Sequence, residues 1–297
     1  MNTASFDLFM EQQKQKVDRA LLEEVDRIKA PQVLKDAMSY SLKAGGKRIR
    51  PLLVFAVLDA FGKELEYGMK AACAIEMIHT YSLIHDDLPS MDNDVMRRGK
   101  PTNHIVYGEA TAILAGDALL THSFTLLTEN MPKGITAEQK LELVSVISSC
   151  AGAGGMVGGQ TADMEAEGKA ISLAELEYIH EHKTGRLLSA SVLAGAILAG
   201  ATKEEKAALK DFSHHLGLAF QIRDDILDIE GSEEEIGKPV GSDVANHKNT
   251  YPALLTLDGA KAKLQEEISV ALSVLKELNM ERGFLYDITK LVAFRTK

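Results

Sequence analysis

Apolar residues recur along this chain at three- and four-residue intervals, and no long stretch alternates apolar with polar positions as a half-buried strand does. The spacing predicts helices over 7–28, 32–44, 49–61, 66–88, 105–129, 137–153, 157–167, 174–199, 204–229, 251–277 and 281–294. Between them stand breakers: Pro31, Gly45-Gly46, Gly62, Pro89, Gly99 to Pro101, Pro132 to Gly134, Gly168, Gly231 and Gly237-Lys238-Pro239. Ser172 and Glu175 have the spacing of a capping box ahead of an apolar run. The Ala- and Gly-rich stretch 151–159 is expected to let backbones pack closely. No linker, short repeat or composition shift divides the chain, so one all-α domain over 1–297 is expected.

Composition narrows the class. The 297 residues are 45% hydrophobic and 26% charged, enough apolar material for a packed core rather than a disordered chain. A formal net charge of −10 argues against sequence-independent nucleic-acid binding, which needs basic residues at phosphates. The two cysteines, Cys73 and Cys150, match no metal or redox spacing and read as small core residues of a reducing compartment. The polar N-terminal stretch has no signal-like apolar segment, and the apolar run 187–200 is too short to span a bilayer. A cytoplasmic protein without a membrane partner is expected.

Two acidic clusters carry the chemistry. Asp86-Asp87 closes the apolar segment 79–88, with Asp92 and Asp94 just beyond. Asp224, Asp225 and Asp228 lie inside the apolar segment 216–229, and Gln221 extends them to an i, i+3, i+4, i+7 stripe. Like charges at i, i+4 repel. Either cluster alone can be a solvated acidic face. Two of them on apolar helices point to a divalent cation, and all-oxygen ligands select Mg2+ or Mn2+.

Basic residues accompany both clusters. Lys47, Arg48 and Arg50 sit in a Gly-Gly-Lys-Arg-Ile-Arg-Pro turn, Arg97-Arg98-Gly99 follows the first cluster and Gly237-Lys238-Pro239 the second, and Lys183-Thr184-Gly185 opens another apolar helix. Each alone can be a solvated helix-end charge. Interleaved with metal-binding carboxylates they imply a diphosphate substrate, since Mg2+ characteristically binds through one or two carboxylates plus substrate phosphates. Neither Gly-rich stretch continues as a P-loop, and no nucleophile triad is distinguishable. His79, seven residues before Asp86, is the one histidine placed near the cluster's helical face.

At these residues the sequence resembles the trans-prenyltransferases, and among them the bacterial farnesyl diphosphate synthases. The resemblance runs from Leu34 to the C-terminus through seven ordered motifs. They are Gly-Gly-Lys-Arg-Ile-Arg-Pro at 45–51, the Glu76 to Thr102 stretch around Asp86-Asp87, Ala-Gly-Asp-Ala-Leu-Leu at 115–120, Gly-Gly-Gln-x-x-Asp at 158–163, Lys183-Thr184-Gly185, Gln221 to Asp228, and Gly237 to Asp243 followed by Lys248 to Pro252. It implies an isoprenoid synthase fold, a bundle of long helices around a central cavity, with the two Asp motifs facing each other across its mouth.

The roles it implies are specific. Asp86, Asp87, Asp92, Asp224, Asp225 and Asp228 would hold Mg2+ on an allylic diphosphate, which Arg97, Lys183, Thr184, Gln221 and Lys238 would contact. Lys47, Arg50, His79 and Arg98 would bind isopentenyl diphosphate, with Arg295 a further contact from the C-terminal tail. The reaction would be ionisation of dimethylallyl, then geranyl, diphosphate, and attack by isopentenyl diphosphate. Asp86, Asp87, Asp92, Arg97, Lys183, Asp224, Asp225 and Lys238 would be its catalytic residues. Tyr81 and Ser82, five and four before the first motif, would limit growth to the C15 product, farnesyl diphosphate. Ideal helix geometry puts Ser82 beneath Asp86 but Tyr81 about 140° away, so only the resemblance places Tyr81 in the cavity. A geranylgeranyl diphosphate synthase is the alternative on the same scaffold. A terpene cyclase would not need Lys47, Arg50 and Arg98, and a non-catalytic regulatory subunit would be expected to have lost Asp-motif residues. A homodimer is implied by the resemblance.

Overall fold

The computed structural model describes residues 3–129, 131–230 and 249–294, which are α-helical but for short connections and one two-stranded hairpin. The chain divides into two compact units, Met1–Phe55 with Lys63–Val144, and Ala56–Gly62 with Ser145–Lys297.

The first unit holds α1 (Thr3–Arg27), α2 (Gln32–Leu42), most of α3 (Ile49–Ala60), α4 (Met69–Asp86), α5 (Asn103–Tyr107), α6 (Glu109–Thr128) and the start of α7 (Ala137–Ala151). Helix α4 is its centre. Every residue from Ala71 to Ile78 is buried, and α4 packs on α1, α2 and α6. A helix with no wide polar face settles this way because any orientation at the surface would expose apolar area. Ile75, Met77 and Ile78 are fully buried, each contributing about 1.5–3 kcal/mol of transfer free energy. Cys73 lies among them, its thiol pushed up to about 12 chiefly by burial.

Two departures from the periodicity occur here. The segment predicted as one helix from 105 is broken by Gly108, at φ 82°, into α5 and α6. Ahead of them a hairpin forms, β1 (Met96–Arg97) antiparallel to β2 (Lys100–Pro101). Its two loop residues, Arg98 and Gly99, both have positive φ, 53° and 73°, as a type I′ turn requires.

The second unit contains α8 (Met156–Ala166), α9 (Leu173–His180), α10 (Arg186–Ala199), α11 (Lys203–Glu230), α12 (Tyr251–Glu277) and α13 (Phe284–Phe294). The capping box is present: the Glu175 N–H donates to Ser172 Oγ at 3.3 Å, and Glu175 Oε2 accepts the Ser172 N–H at 2.8 Å. The predicted helix over 174–199 is instead α9, one π-helical turn over Glu181–Gly185, and α10. Helix α10 is almost wholly buried, packs on α11, and ends at Gly200 in the left-handed conformation. The small-residue stretch behaves as expected. A Cβ on Gly159 would lie 2.1 Å from the Lys183 nitrogen, so only glycine lets α8 touch the π turn.

Two segments, Glu109–Thr128 and Ala137–Ala166, are long and apolar enough to cross a membrane by length and composition. The second is not one continuous helix, since α7 ends at Ala151 and α8 begins at Met156. The first packs against α4 and α2.

Candidate active site

The first acidic motif sits at the C-terminal end of α4. Asp86 is the last helical residue and Asp87 the cap. Unpaired carbonyls give a helix C-terminus partial negative charge, so two carboxylates there are unfavourable unless cations offset them. The chain then folds back. The Asp92 N–H donates to the Asp86 carbonyl at 2.9 Å, and the Met91 and Asn93 amides both return to the Leu88 carbonyl. The four residues between Asp87 and Asp92 thus form a closed loop that brings Asp92 back to the end of α4.

The hairpin supplies a cation. Arg97 Nε donates to Asp87 Oδ1 at 2.7 Å, and Arg97 Nη2 lies 3.6 Å from Asp94. Burial pushes the Asp87 carboxyl up, while the charge and hydrogen bond of Arg97 pull it down. Asp87 is buried, whereas Asp86 is half-buried and Asp92 exposed. Tyr81 is 6% exposed, its ring edge-on to His85 at 5.7 Å, and its phenol is raised by burial and then by the Asp86 charge. Ser82 Oγ donates to the His79 carbonyl.

The Gly-Gly-Lys-Arg turn meets the hairpin from another side. Arg98 Nη1 donates to the Gly45 carbonyl, and a Cβ on Gly46 would fall 2.8 Å from that guanidinium. His79, on α4, is held well below the usual histidine range by burial first, then by the charges of Arg50, Arg98, Arg48 and Arg97. It is neutral at physiological pH, so its ring can donate a hydrogen bond without adding charge. Lys47 is exposed and Arg50 half-buried. The residues of the expected isopentenyl site therefore come from one turn (Lys47), the start of α3 (Arg50), α4 (His79) and the hairpin (Arg98).

The second unit carries the other motif on α11 (Lys203–Glu230), where the repulsion between Asp224 and Asp228 at i, i+4 again favours a cation. Gln221 and Asp224 are half-buried, while Asp225 and Asp228 are 6% and 2% exposed. Asp225 Oδ2 accepts the Tyr251 N–H at 2.9 Å, tying α11 to the first turn of α12. The expected allylic-diphosphate residues Lys183 and Thr184 lie in the π turn, a distortion often found at functional sites. Lys183 Nζ donates to Asp163 Oδ2 at 2.6 Å. Lys238 and Arg295 lie outside the described residues.

Sequence reasoning missed the partners of these groups. Asp163 was quoted within a motif but given no role. It lies one turn after Gly159, the point where α8 touches the π turn, and that spacing is the signal that could have found it. Asp18 and Glu76, which hold Arg48, carry no local signal because they come from separate helices. Among the described residues, no three Asp, Glu, His or Cys side chains converge into a metal cage. Mg2+ does not need one when substrate oxygens complete its shell. The donor set, hard carboxylates at the end of α4 and on α11, fits that ion.

The comparisons with known proteins agree with this geometry. The family model described as polyprenyl synthetase matches residues 31–281. The farnesyl diphosphate synthase of Geobacillus stearothermophilus is 57% identical, covering 99% of each chain, and that of Bacillus subtilis (strain 168) is 55% identical, covering 97% of each. A solved structure described as an FPP/GFPP synthase from Zymomonas mobilis superposes with a TM-score of 0.85 at 34% identity, covering 98% of this chain and 99% of that one. One family model runs through both compact units, and the motif residues fall within it, apart from Arg295. The chain belongs to the polyprenyl synthetase family.

Proposed function

We propose that this chain is a farnesyl diphosphate synthase: it joins isopentenyl diphosphate to dimethylallyl and then geranyl diphosphate, releasing diphosphate at each step. The observation that carries this reading is the pairing of carboxylates at a disfavoured helix end with a separate turn of cations around a neutral His79. That turn gives the second diphosphate its own subsite, which a cyclase would not need. The 57% identity to a named farnesyl diphosphate synthase over the whole length supports the C15 product. The chain works in this reading as a single prenyl synthase domain.

In this reading Asp86, Asp87 and Asp92 in the first unit and Asp224, Asp225 and Asp228 in the second are the carboxylates that hold Mg2+, with Mn2+ the nearest substitute. When bound, Mg2+ neutralises the charge that develops on the departing diphosphate. Arg97, Lys183, Thr184, Gln221 and Lys238 bind the allylic diphosphate and stabilise the same charge as the C–O bond breaks. Lys47, Arg50, His79 and Arg98 hold isopentenyl diphosphate so that its C3–C4 double bond attacks the allyl cation. The proton leaves C2 to the released diphosphate, the base nearest in chemistry, since no side chain has been identified for that step. Buried Tyr81 limits the growing chain.

A cytoplasmic homodimer completes the proposal. Ile105, Val106, Ile113, Leu114 and Leu141 are each 42–71% exposed in the first unit. So many large apolar side chains in one unit suit a partner copy better than water. Incubating the purified chain with isopentenyl and dimethylallyl diphosphates and Mg2+, then sizing the dephosphorylated alcohols, tests the activity. C15 alcohol as the main product is expected; C20 identifies a geranylgeranyl diphosphate synthase, and no condensation overturns the reading.

A further inference from the structure

The three basic residues of the Gly-Gly-Lys-Arg-Ile-Arg-Pro turn look alike in sequence, but the structure separates them. Lys47 is exposed and Arg50 half-buried, whereas the Arg48 side chain is 2% exposed. Its guanidinium reaches three elements at once. Nε donates to Asp18 Oδ1 on α1 at 2.7 Å, Nη1 to Glu76 Oε1 on α4 at 2.6 Å, and Nη2 to the Leu42 carbonyl at the end of α2 at 2.7 Å.

The backbone of Arg48 is equally constrained. Its φ of 55° is left-handed, a conformation that costs a residue with a Cβ and persists only where the surroundings hold it. Its carbonyl accepts the Leu52 N–H at 3.0 Å and so starts α3. A side chain sealed from solvent and shared between two carboxylates is not placed to receive a phosphate. A lysine could not replace it, since a point charge does not span three acceptors lying in different directions.

What Arg48 touches decides what it does. Lys47 precedes it and Arg50 follows two residues later. Glu76 lies one turn before His79 on α4. The Gly45 carbonyl, three residues before Arg48, accepts from Arg98. Every group expected at the isopentenyl diphosphate therefore depends on where Arg48 pins the turn. Asp18 and Glu76 also offset positive charge where Arg48, Arg50, Arg97 and Arg98 all act on His79.

We propose that Arg48, held by Glu76 and Asp18, is a positioning residue for the second diphosphate: it touches no substrate, but fixes the turn bearing Lys47 and the start of α3 bearing Arg50 against the helix bearing His79. This rests on the proposed function, because it assumes that those residues bind isopentenyl diphosphate. Displacing them without removing any of them should weaken that one substrate and leave the allylic half of the reaction almost untouched.

Steady-state kinetics of the full chain, varying each substrate separately, test it with Arg48→Met, Asp18→Ala and Glu76→Gln. Arg48→Met should raise the KM for isopentenyl diphosphate about tenfold or more, with kcat and the allylic KM within about threefold. Asp18→Ala should shift the same constant less, and Glu76→Gln, which keeps an acceptor for Nη1, least. A merely structural bridge would lower the active fraction, and hence kcat, without moving that KM alone. Unchanged isopentenyl KM in Arg48→Met and Asp18→Ala, or equal rises for both substrates, overturns the proposal. If Arg48→Met does not fold, Asp18→Ala decides, since Asp18 is partly exposed and its loss is the milder change. A wild-type chain that does not condense the two diphosphates sinks the proposed function itself. A wild type that does, with calorimetric binding of isopentenyl diphosphate unweakened in Asp18→Ala and Arg48→Met, sinks only the role of Arg48.

Discussion

Arg97 Nε lies 2.7 Å from Asp87 Oδ1, so the second carboxylate of the first acidic motif is engaged by a guanidinium from the hairpin ten residues on. The two side chains act as one unit, and their substitutions should not multiply. Asp87→Asn and Arg97→Met are each expected to lower kcat/KM for the allylic substrate about 10- to 100-fold. The double variant should be no more than a few-fold worse than the poorer single one. Independent roles would instead give the product of the two losses, and a double-mutant cycle on kcat/KM distinguishes these outcomes.

Asp86 is the last residue of α4, where its charge opposes the helix dipole, and Asp224 is half-buried on α11 four residues before Asp228. Replacing either by Ala should remove turnover by about three orders of magnitude, with the melting temperature unchanged or slightly raised in Asp86→Ala, which relieves a charge opposed to the dipole, and in Asp224→Ala, which relieves a like-charge i, i+4 pair. Circular dichroism should show full helicity. The wild-type activity should vanish with chelator and return with Mg2+. A variant that keeps near-normal turnover, or wild-type turnover that resists chelation, would contradict the metal assignment.

Tyr81 is the residue proposed to limit the product. Its ring is buried edge-on to His85, one residue before Asp86, and its phenol is raised by burial and then by the Asp86 charge. Tyr81→Ala should open room there and shift the main product from C15 to C20 or longer, while Ser82→Ala, which removes only a hydroxyl bonded to the His79 carbonyl, should shift it little. Chromatography of the dephosphorylated products reads both. An unchanged C15 product in Tyr81→Ala would remove it as the limiting residue.

The helices were legible because their apolar spacing is strong and their breakers few, and the Ser172–Glu175 capping box was legible because both partners lie within one turn. The hairpin was not. A two-residue type I′ loop is usually announced by Asn-Gly or Asp-Gly, whereas here Arg98 takes the first positive-φ position and is held there by its bond to the Gly45 carbonyl, far away in sequence. The π turn was equally silent, since an extra residue in a helical turn leaves the apolar pattern nearly intact. Candidate ligands could be picked out by type and motif. Their partners could not, because Asp18, Glu76 and Asp163 meet Arg48 and Lys183 only after the helices pack.

His180 supplies an acid-sensitivity test apart from the chemistry. It is 9% exposed on α9, with its ring 5.4 Å from that of Tyr251. Burial depresses its pKa to about 4; the nearby Asp163 charge opposes this and the Lys183 charge adds to it. The folded state therefore keeps the imidazole neutral where an unfolded histidine, at about 6.5, takes up a proton. Above that value the residue favours neither state. As pH falls from about 6.5 towards 4 the unfolded chain is favoured by up to about 1.4 kcal/mol per unit. Between pH 7 and pH 4.5 His180 should thus cost about 2 kcal/mol. Urea unfolding of the wild type and of His180→Leu at both values checks this, because the variant should lose less stability on acidification by about that amount. Equal losses in the two proteins would mean that His180 is protonated in the folded state.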